Sequence, residues 1–267
     1  MKITAILNTH GATDFTLDTL DSIKYYMTNR ILLLVDGVAW KDYEFLPTFA
    51  YKLKGFHHGL PKSPFRNVVL GLLAAALNWE DTNWFCYIEY DCLVGSSAFR
   101  KDLLQAEKEG VFCLGNDLRI NEDVDLSLVE TMIKTKFEER AYLLGACIFY
   151  HSSFIKTLLE QEFFQRFLFY TNHFSKGFFP FFKAWDLTEH LLPSIAKCFG
   201  GGVKQLAAYN YKMNKWSGNY RRYPIRFRPE LTYELDHFLQ ASIMHPLKTY
   251  DHPIRKYHRT KRCQLAK

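Results

Sequence analysis

The segment from Trp84 to Asp91 is an apolar, aromatic run that ends in two carboxylates, those of Glu89 and Asp91. Side chains on a β-strand alternate between faces, so residues two apart point the same way, with Cα atoms roughly 6.5–7 Å apart. Two acids so placed at the end of a buried strand repel each other unless a positive charge lies between them. Mg²⁺ or Mn²⁺ suits this position, because these ions bind carboxylate oxygens and keep other positions for water and phosphate. The alternative is a pair of solvated acids at a strand end.

Two other apolar runs, Ile3 to Asn8 and Arg30 to Val35, are typical of parallel strands that are covered on both faces. A helical pattern from Leu17 to Tyr26 joins them, and the three segments together predict a βαβ unit. A strongly apolar helix from Phe65 to Trp79 precedes the acidic strand. The sequence therefore predicts an α/β fold in which helices flank a mostly parallel central sheet.

The second half of the chain predicts further elements in this order: a short strand over Val111–Leu114 followed by an acidic loop, a helix around Leu126–Glu139, a buried strand over Tyr142–Tyr150, a helix ending at Phe167, and a helix over Asp186–Phe199. We expect one domain over residues 1–200. A basic, loop-rich C-terminal extension, with one helix near residues 230–242, is expected over residues 201–267.

Polar residues follow three of the predicted strands: the loop from Thr9 to Asp14, then Asp36, and then Glu89 with Asp91. Open parallel sheets bind ligands in a crevice at the carboxyl ends of their strands. We therefore expect these three polar clusters to converge on one site.

The net charge of +6 is concentrated near the C-terminus. No acidic residue lies between Glu189 and Glu230, although that stretch is rich in Lys and Arg, and after Asp251 the only charged residues are basic or histidine. Such a distribution indicates an anionic partner: a nucleotide diphosphate, a phospholipid surface or nucleic acid.

The six cysteines show neither C-x-x-C pairing nor the spacing of a zinc site, which favours a reducing compartment. The apolar run at the N-terminus is too short for a signal peptide, and no apolar stretch reaches the roughly 18 residues of a membrane span. We expect a cytoplasmic protein, with peripheral contact to the inner face of the membrane through the basic tail.

In element order over roughly residues 3–200, the chain resembles the GT-A-fold glycosyltransferases, with Glu89-Tyr90-Asp91 in the place of their D-x-D motif. The resemblance implies a Rossmann-like nucleotide-binding half, a Mn²⁺ or Mg²⁺ ion and a UDP- or GDP-sugar donor. It also implies a saccharide or lipid-linked acceptor, as in polysaccharide biosynthesis. The sequence has no G-x-G-x-x-G, P-loop or G-x-S-x-G motif to support a dinucleotide enzyme, a kinase or an α/β-hydrolase.

The same resemblance assigns nucleotide contacts to residues that follow the first two strands or begin a helix: Thr9, His10, Asp14, Asp36, Arg66 and Asn67. Arg66 lies at a predicted helix N-terminus, which favours anions such as a diphosphate. Simpler roles remain open, since Asp14 also suits a helix N-cap, Asp36 a turn, and Arg66 an exposed surface position.

The segment from Trp185 to His190 resembles the Trp/acid segment that supplies the general base in inverting members. Asp186 and Glu189 are the candidate bases, because inversion needs a carboxylate aimed at the acceptor hydroxyl. Their spacing equally fits a capping box, with Asp186 as N-cap and Glu189 three residues later.

Near the C-terminus, His245 and Lys248 resemble the His…Lys element of family 8-like retaining enzymes, although the Gly and Trp of that pattern are absent. The resemblance implies that His245 completes the metal site and that Lys248 contacts the diphosphate. The segment around Asp186 favours inversion slightly over the retention that His245 indicates. The acid-free loop from Tyr209 to Arg228 is expected either to close over the diphosphate as a lid or to be a solvated basic loop.

Two other functions compete with a glycosyltransferase. A nucleotidyltransferase of related architecture is one, although such enzymes usually have a Gly-rich N-terminal loop with a following Arg and Lys. A non-enzymatic basic module that binds nucleic acid or a membrane is the other. The module leaves the acidic pair of Glu89 and Asp91 unexplained, so we expect no nucleic-acid partner.

Overall fold

The structure is a computed structural model that describes residues 1–9, 14–35, 51–55, 63–121, 124–173, 184–227, 230–231 and 238–265. Two of the predicted nucleotide contacts, His10 and Asp36, lie outside the described residues, as do residues 232–237 of the helix predicted near residues 230–242.

The strands in chain order are β1 (Ile3–Thr9), β2 (Ile31–Val35), β3 (Tyr51–Lys54), β4 (Trp84–Glu89), β5 (Leu93–Val94), β6 (Val111–Ile120), β7 (Ala141–His151), β8 (Gly202–Gln205), β9 (Ala207–Asn210), β10 (Lys215–Gly218) and β11 (Ile243–Met244). The helices are α1 (Asp14–Tyr26), α2 (Ser63–Asn78), α3 (Phe99–Lys108), α4 (Ser127–Ile133), α5 (Ser152–Glu160), α6 (Phe163–His173), α7 (Ala184–Cys198) and α8 (Pro253–Leu265).

Seven of these strands form the central sheet in the order β3-β2-β1-β4-β7-β6-β8. Every neighbouring pair is parallel except those made by β7, which runs antiparallel to both β4 and β6. The prediction of a mostly parallel sheet flanked by helices is confirmed. We call the edge at which β1, β2 and β4 end the carboxyl edge.

Apolar side chains alternate along the central strands and bury both faces of the sheet. In β1, Ala5 and Leu7 pack in the layer that contains α1 and α3, whereas Ile6 packs in the layer of α2, α5, α6 and α7. Strands buried on both faces have to be apolar throughout, which is why β1, β2 and β4 were recognisable in the sequence.

Several boundaries differ from the prediction. Strand β6 continues to Ile120 rather than ending at Leu114, and register shifts interrupt its pairing with β7. The helix predicted to end at Phe167 is two helices, separated by a turn in which Glu162 has a φ of 53°. Helix α4 stops at Ile133 instead of near Glu139, because Lys134 adopts the left-handed conformation.

The C-terminal third is more regular than the predicted loop-rich extension. Strand β8 pairs with β6 in the central sheet, β9 and β10 form an antiparallel hairpin that overlaps the start of the predicted lid loop, and β11 pairs with β5. Helix α8, which was not predicted, packs against α1. The boundary between residues 200 and 201 and the closing of a lid remain predictions.

All six cysteines lie in the described part of the chain, and none forms a disulfide. Among the helices that the structure describes, none combines the length and apolar character needed to cross a membrane.

Candidate active site

The carboxyl edge gathers most of the predicted polar residues that the structure describes. Thr9 is buried at the end of β1, and its neighbour Asn8 lies opposite Glu89 in the parallel pairing of β1 with β4. Asp14 is exposed in the first turn of α1. Because α1 follows β1 directly, its N-terminus also lies at this edge.

Helix α2 likewise begins at the carboxyl edge, since it connects the end of β3 to the start of β4. Arg66 is half-buried in its first turns, and burial lowers the pKa of its guanidinium. Asn67 is fully buried next to Gly55. A Cβ atom added to Gly55 would lie only 2.9 Å from the Asn67 Oδ1 atom. Asn67 therefore lies close to the ends of β2 and β3.

The acidic pair lies where β4 ends, but the reason given for its geometry was wrong. Strand β4 ends at Glu89, and Tyr90 and Asp91 form a turn in which the Cys92 N–H donates to the Glu89 carbonyl at 3.1 Å. Strand alternation therefore does not explain how Glu89 and Asp91 come together. The turn directs both carboxylates towards the same side chain, that of His245.

Glu89, Asp91 and His245 form a compact cluster. The Nε2 atom of His245 lies 3.2 Å from Asp91 Oδ1 and 3.6 Å from Glu89 Oε2, and one ligand atom of each residue lies within 4.8 Å of the others. The Lys248 Nζ atom is 3.7 Å from Asp91 Oδ2. The structure thus brings together the three residues predicted as metal ligands and the lysine predicted beside them.

The imidazole of His245 is held in one orientation. Its Nδ1 atom lies 2.7 Å from the Arg226 carbonyl oxygen, to which it donates, so Nε2 faces the two carboxylates. Metal-binding histidines commonly donate their second ring nitrogen in this way. Burial would lower the pKa of His245, but Asp91 and Glu89 raise it to about 10. Without an ion, a proton on Nε2 balances the carboxylates.

A divalent ion fits this donor set. Two carboxylates and one imidazole nitrogen are acceptable ligands for Mn²⁺, and the cluster is open on the side of the half-buried Glu89. The Asp91 Oδ1 atom is buried and receives no well-aligned hydrogen bond in the described part of the chain, although His245 is near. An ion in place of the proton on Nε2 would bind this oxygen directly.

A buried guanidinium joins the two segments that carry the cluster. The Arg255 Nη2 atom donates to the Cys92 carbonyl at 2.9 Å and to the Leu247 carbonyl at 2.8 Å, and its Nη1 atom contacts Asp18 Oδ2 at 2.8 Å. The Leu247 N–H in turn donates to the Asp91 carbonyl at 2.8 Å. The turn of Asp91 and the segment of His245 are therefore fixed to each other and to α1.

Close backbone approach is also required where β11 meets β5. A Cβ on Gly95 would lie 2.5 Å from the Ala241 carbonyl oxygen and 2.7 Å from His258 Cε1. Only glycine permits this approach, which brings the residues before His245 against the turn of Asp91.

Glu189 projects from α7 onto β7. The Gly145 N–H donates to Glu189 Oε1 at 2.8 Å, and Tyr142 is a second hydrogen-bond partner. Burial raises the pKa of Glu189 to about 7. Because β7 begins at the carboxyl edge, Glu189 lies at the same edge of the sheet as the cluster.

The capping-box alternative for the α7 segment does not describe the structure. Helix α7 begins at Ala184, before Asp186, and the Glu189 carboxylate bonds to β7 instead of to the start of its own helix. The side chain of Asp186 lies outside the described residues. His190 packs against the Tyr142 ring with 5.0 Å between centroids.

The roles of Arg226 and Arg255 were not predicted from the sequence. No pattern marks Arg226, because it is the backbone carbonyl of this residue that orients His245. Arg255, Arg259 and Arg262 recur at helical spacing, and all three contact the buried carboxylate of Asp18. That periodic row of bases was the one available signal, and it was interpreted as a basic tail that contacts a membrane.

No protein-family profile matches the chain, and no curated protein matches it in sequence. Among solved structures, the chain resembles a glycosyltransferase involved in the glycosylation of the major capsid of PBCV-1, with a TM-score of 0.51 and 10% identity over 97% of this chain and 100% of that one. Mannose-1-phosphate geranyltransferase from Thermus thermophilus gives a TM-score of 0.38 at 15% identity, covering 63% of this chain and 64% of that one. Residues 1–349 of S. aureus TarS give 0.35 at 15%, covering 62% and 55%.

The similarity to the first of these structures shows the fold alone. The other two TM-scores are too low to support a conclusion about the fold. Together with the sheet order and the helical layers on both faces, the first similarity establishes that the chain has a GT-A-like fold.

Proposed function

We propose that this chain is a metal-dependent glycosyltransferase that moves a sugar from a nucleotide-diphosphate donor to a saccharide or lipid-linked acceptor. The observation that carries the proposal is the cluster of Glu89, Asp91 and His245 at the carboxyl edge of a GT-A-like sheet. Ligand sites of open α/β sheets lie at this edge. The cationic Lys248 beside the cluster adds a partner for an anionic donor.

A UDP- or GDP-sugar is the proposed donor. Thr9, Asp14, Arg66 and Asn67 lie at the edge where its nucleotide would bind, and His10 and Asp36 remain candidates there. Mn²⁺ or Mg²⁺, held by Glu89, Asp91 and His245, would neutralise the diphosphate. Lys248 would offset the charge that remains on the leaving group as the bond between sugar and phosphate oxygen breaks.

The acceptor hydroxyl needs a base, and Asp186 and Glu189 are the proposed candidates. Among the described side chains, Glu189 has the more suitable environment, because burial raises its pKa to about 7 and the Gly145 N–H fixes its orientation. In an inverting transfer its carboxylate would take the hydroxyl proton while the acceptor oxygen bonds to the sugar carbon. We keep inversion as the slightly favoured course.

A cytoplasmic location with peripheral membrane contact is part of the proposal. Arg255 and Arg262 are buried against Asp18, so this contact would depend on other bases of α8, such as the exposed Lys256.

The direct test compares Asp91→Asn with the exposed Asp251→Asn as a matched control. In the presence of Mn²⁺ and a panel of UDP- and GDP-sugars, we expect the wild type and the control to release nucleoside diphosphate. Asp91→Asn should lose at least about a hundredfold in this rate, because it removes one charge from the ion site. Circular dichroism checks that the variant is folded.

Full turnover by the wild type in excess EDTA, or by Asp91→Asn, would contradict the proposal. Pyrophosphate release from a nucleoside triphosphate and a sugar 1-phosphate would indicate the nucleotidyltransferase instead.

A further inference from the structure

We propose that the cleft between the end of β6 and the β9–β10 hairpin binds an anionic saccharide as the acceptor chain. This inference rests on the proposed function, because an acceptor subsite has meaning only beside a transferase site. The cleft has a volume of about 650 Å³, within the range of small-ligand pockets. Its principal lining residues are Asp117, Arg119, Tyr211, Lys212, Lys215 and Trp216.

Aromatic rings of the hairpin form one wall of the cleft. The Tyr209 ring lies 4.7 Å from that of Trp216 and 4.9 Å from that of Tyr211, measured between centroids. Tyr209 is buried, whereas Trp216 is half-buried and Tyr211 is 44% exposed. The buried ring thus supports two rings that remain accessible. Rigid, partly exposed aromatic faces suit the apolar faces of pyranose rings.

The opposite wall is a distorted part of β6. Asp117 has a φ of 56°, in the left-handed region, and lies where the register of β6 with β7 shifts between Asn116 and Arg119. Bulges of this kind re-aim side chains, and strained non-glycine residues concentrate at functional sites. The Asp117 carboxylate lines the cleft, with its Oδ2 atom 2.5 Å from Arg119 Nη2.

The charge of the cleft favours an anion. Asp117 is already paired with Arg119, while Lys212 and Lys215 are exposed on the hairpin and form no ion pair with another described residue. Two ammonium groups beside accessible aromatic rings match a sugar that carries a carboxylate or a phosphate.

Two contacts connect the cleft with the candidate active site. The Arg226 guanidinium lies 5.1 Å from the Tyr209 ring centroid, and the carbonyl of the same Arg226 orients His245. Arg119 lies over the Tyr142 ring at 4.6 Å, and Tyr142 is a hydrogen-bond partner of Glu189. The cleft therefore adjoins the residues that position His245 and Glu189, which is where an acceptor subsite is needed.

Binding is tested by titration calorimetry with three probes: trigalacturonate, a maltotriose phosphate and neutral maltotriose. The wild type is expected to bind at least one of the anionic probes about tenfold more tightly than maltotriose, with an affinity that falls as salt is added. The two anionic probes distinguish a carboxylate from a phosphate as the recognised group.

Trp216→Ala is expected to weaken binding of the preferred probe about tenfold, whereas Phe169→Ala, which removes an exposed ring elsewhere, should leave it unchanged. Because Trp216→Ala also removes packing, the surface variant Lys212→Ser/Lys215→Ser is a second arm. It should abolish the preference for the anionic probe while unfolding as the wild type does.

Mn²⁺-dependent hydrolysis of the nucleotide sugar by the control Phe169→Ala should stay within about twofold of the wild-type rate. Equal binding of all three probes, or full binding by both cleft variants, would overturn the inference. Preferential binding that persists in Asp91→Asn shows that the cleft works independently of the metal cluster. A failure of the cleft can therefore be told from a failure of the proposed transferase activity.

Discussion

At the residue scale, the candidate site depends on one histidine whose orientation is set by a backbone carbonyl. The acids Glu89 and Asp91 were predictable from their spacing at the end of an apolar run, even though a turn, not strand alternation, brings them together. His245 was predicted only through the resemblance. Arg226 was not predictable, because any residue offers the carbonyl that accepts from His245 Nδ1.

His245→Gln is expected to weaken Mn²⁺ binding at least about tenfold, since the cluster loses its nitrogen ligand. The free Mn²⁺ signal in electron paramagnetic resonance measures this affinity without any turnover. His151→Gln is the control, because His151 lies at the opposite edge of the sheet, where β7 ends. Unchanged affinity in His245→Gln would show that the ion does not bind at this cluster.

Glu189 should make the stability depend on pH. Its folded-state pKa of about 7 is above the ordinary value of 4.5, so the folded protein favours the protonated carboxyl. The stabilisation is fully present below pH 4.5 and is lost as the pH rises through about 7. We expect a loss of about 3 kcal/mol across this window relative to Glu189→Gln, which cannot titrate.

Urea unfolding of the wild type and Glu189→Gln between pH 4.5 and 8 measures this difference. Subtracting one curve from the other cancels the contribution of His258 to the pH dependence. Burial lowers the pKa of this histidine to about 4 in both proteins. Glu160→Gln, at an exposed position on α5, serves as the control and should track the wild type. A flat difference curve for Glu189→Gln would mean that Glu189 titrates with the same pKa in the folded and the unfolded protein.

At the element scale, the strands that are buried on both faces were the ones that could be predicted from the sequence. Strands β1, β2 and β4 were recognisable because both of their faces are apolar, whereas the end of β6 was missed because its polar residues resemble a loop. Helix α8 was missed for the opposite reason. Two of its basic residues, Arg255 and Arg262, face inward to Asp18, which reverses the usual pattern of a surface helix.

Helix α8 should therefore contribute to ion binding through Arg255. Arg255→Lys keeps the charge but loses the planar fork that donates to both the Cys92 and the Leu247 carbonyls. We expect a loss of about 3 kcal/mol in the free energy of unfolding, together with about tenfold weaker Mn²⁺ binding by the folded variant.

Lys256→Met changes the exposed neighbour of Arg255 and should alter neither quantity. Weaker Mn²⁺ binding at a temperature where Arg255→Lys is fully folded identifies a positioning role. Lower stability with normal Mn²⁺ affinity would leave α8 with a structural role only.

At the scale of the whole molecule, the candidate site is built from distant parts of one chain. Its acids lie at the end of β4 and in the turn after it, its histidine follows β11, and the Asp18–Arg255 pair joins residues 237 positions apart. A ligand that binds the cluster therefore stabilises the contacts between both ends of the chain.

UDP or GDP together with Mn²⁺ is expected to raise the Tm of the wild type by about 5 °C. At a ligand concentration about 100 times the Kd, binding adds about 2.7 kcal/mol to the stability, and each kcal/mol shifts the Tm of a protein of this size by about 2–4 °C. Neither component alone should give the full shift, and EDTA should abolish it. An equal shift in Asp91→Asn would show that the nucleotide binds elsewhere.

The pairing of Asp18 with Arg255 and Arg262 also sets an order of events during synthesis. The ribosome completes α1 and both acids long before it reaches the arginines, so the Asp18 carboxylate has none of these counterions while most of the protein is being made. A growing polypeptide that has not yet extended past residue 262 is expected to have a nearly complete sheet without both of the buried arginines that join α8 to α1. The full set of these contacts can form only after α8 has left the exit tunnel.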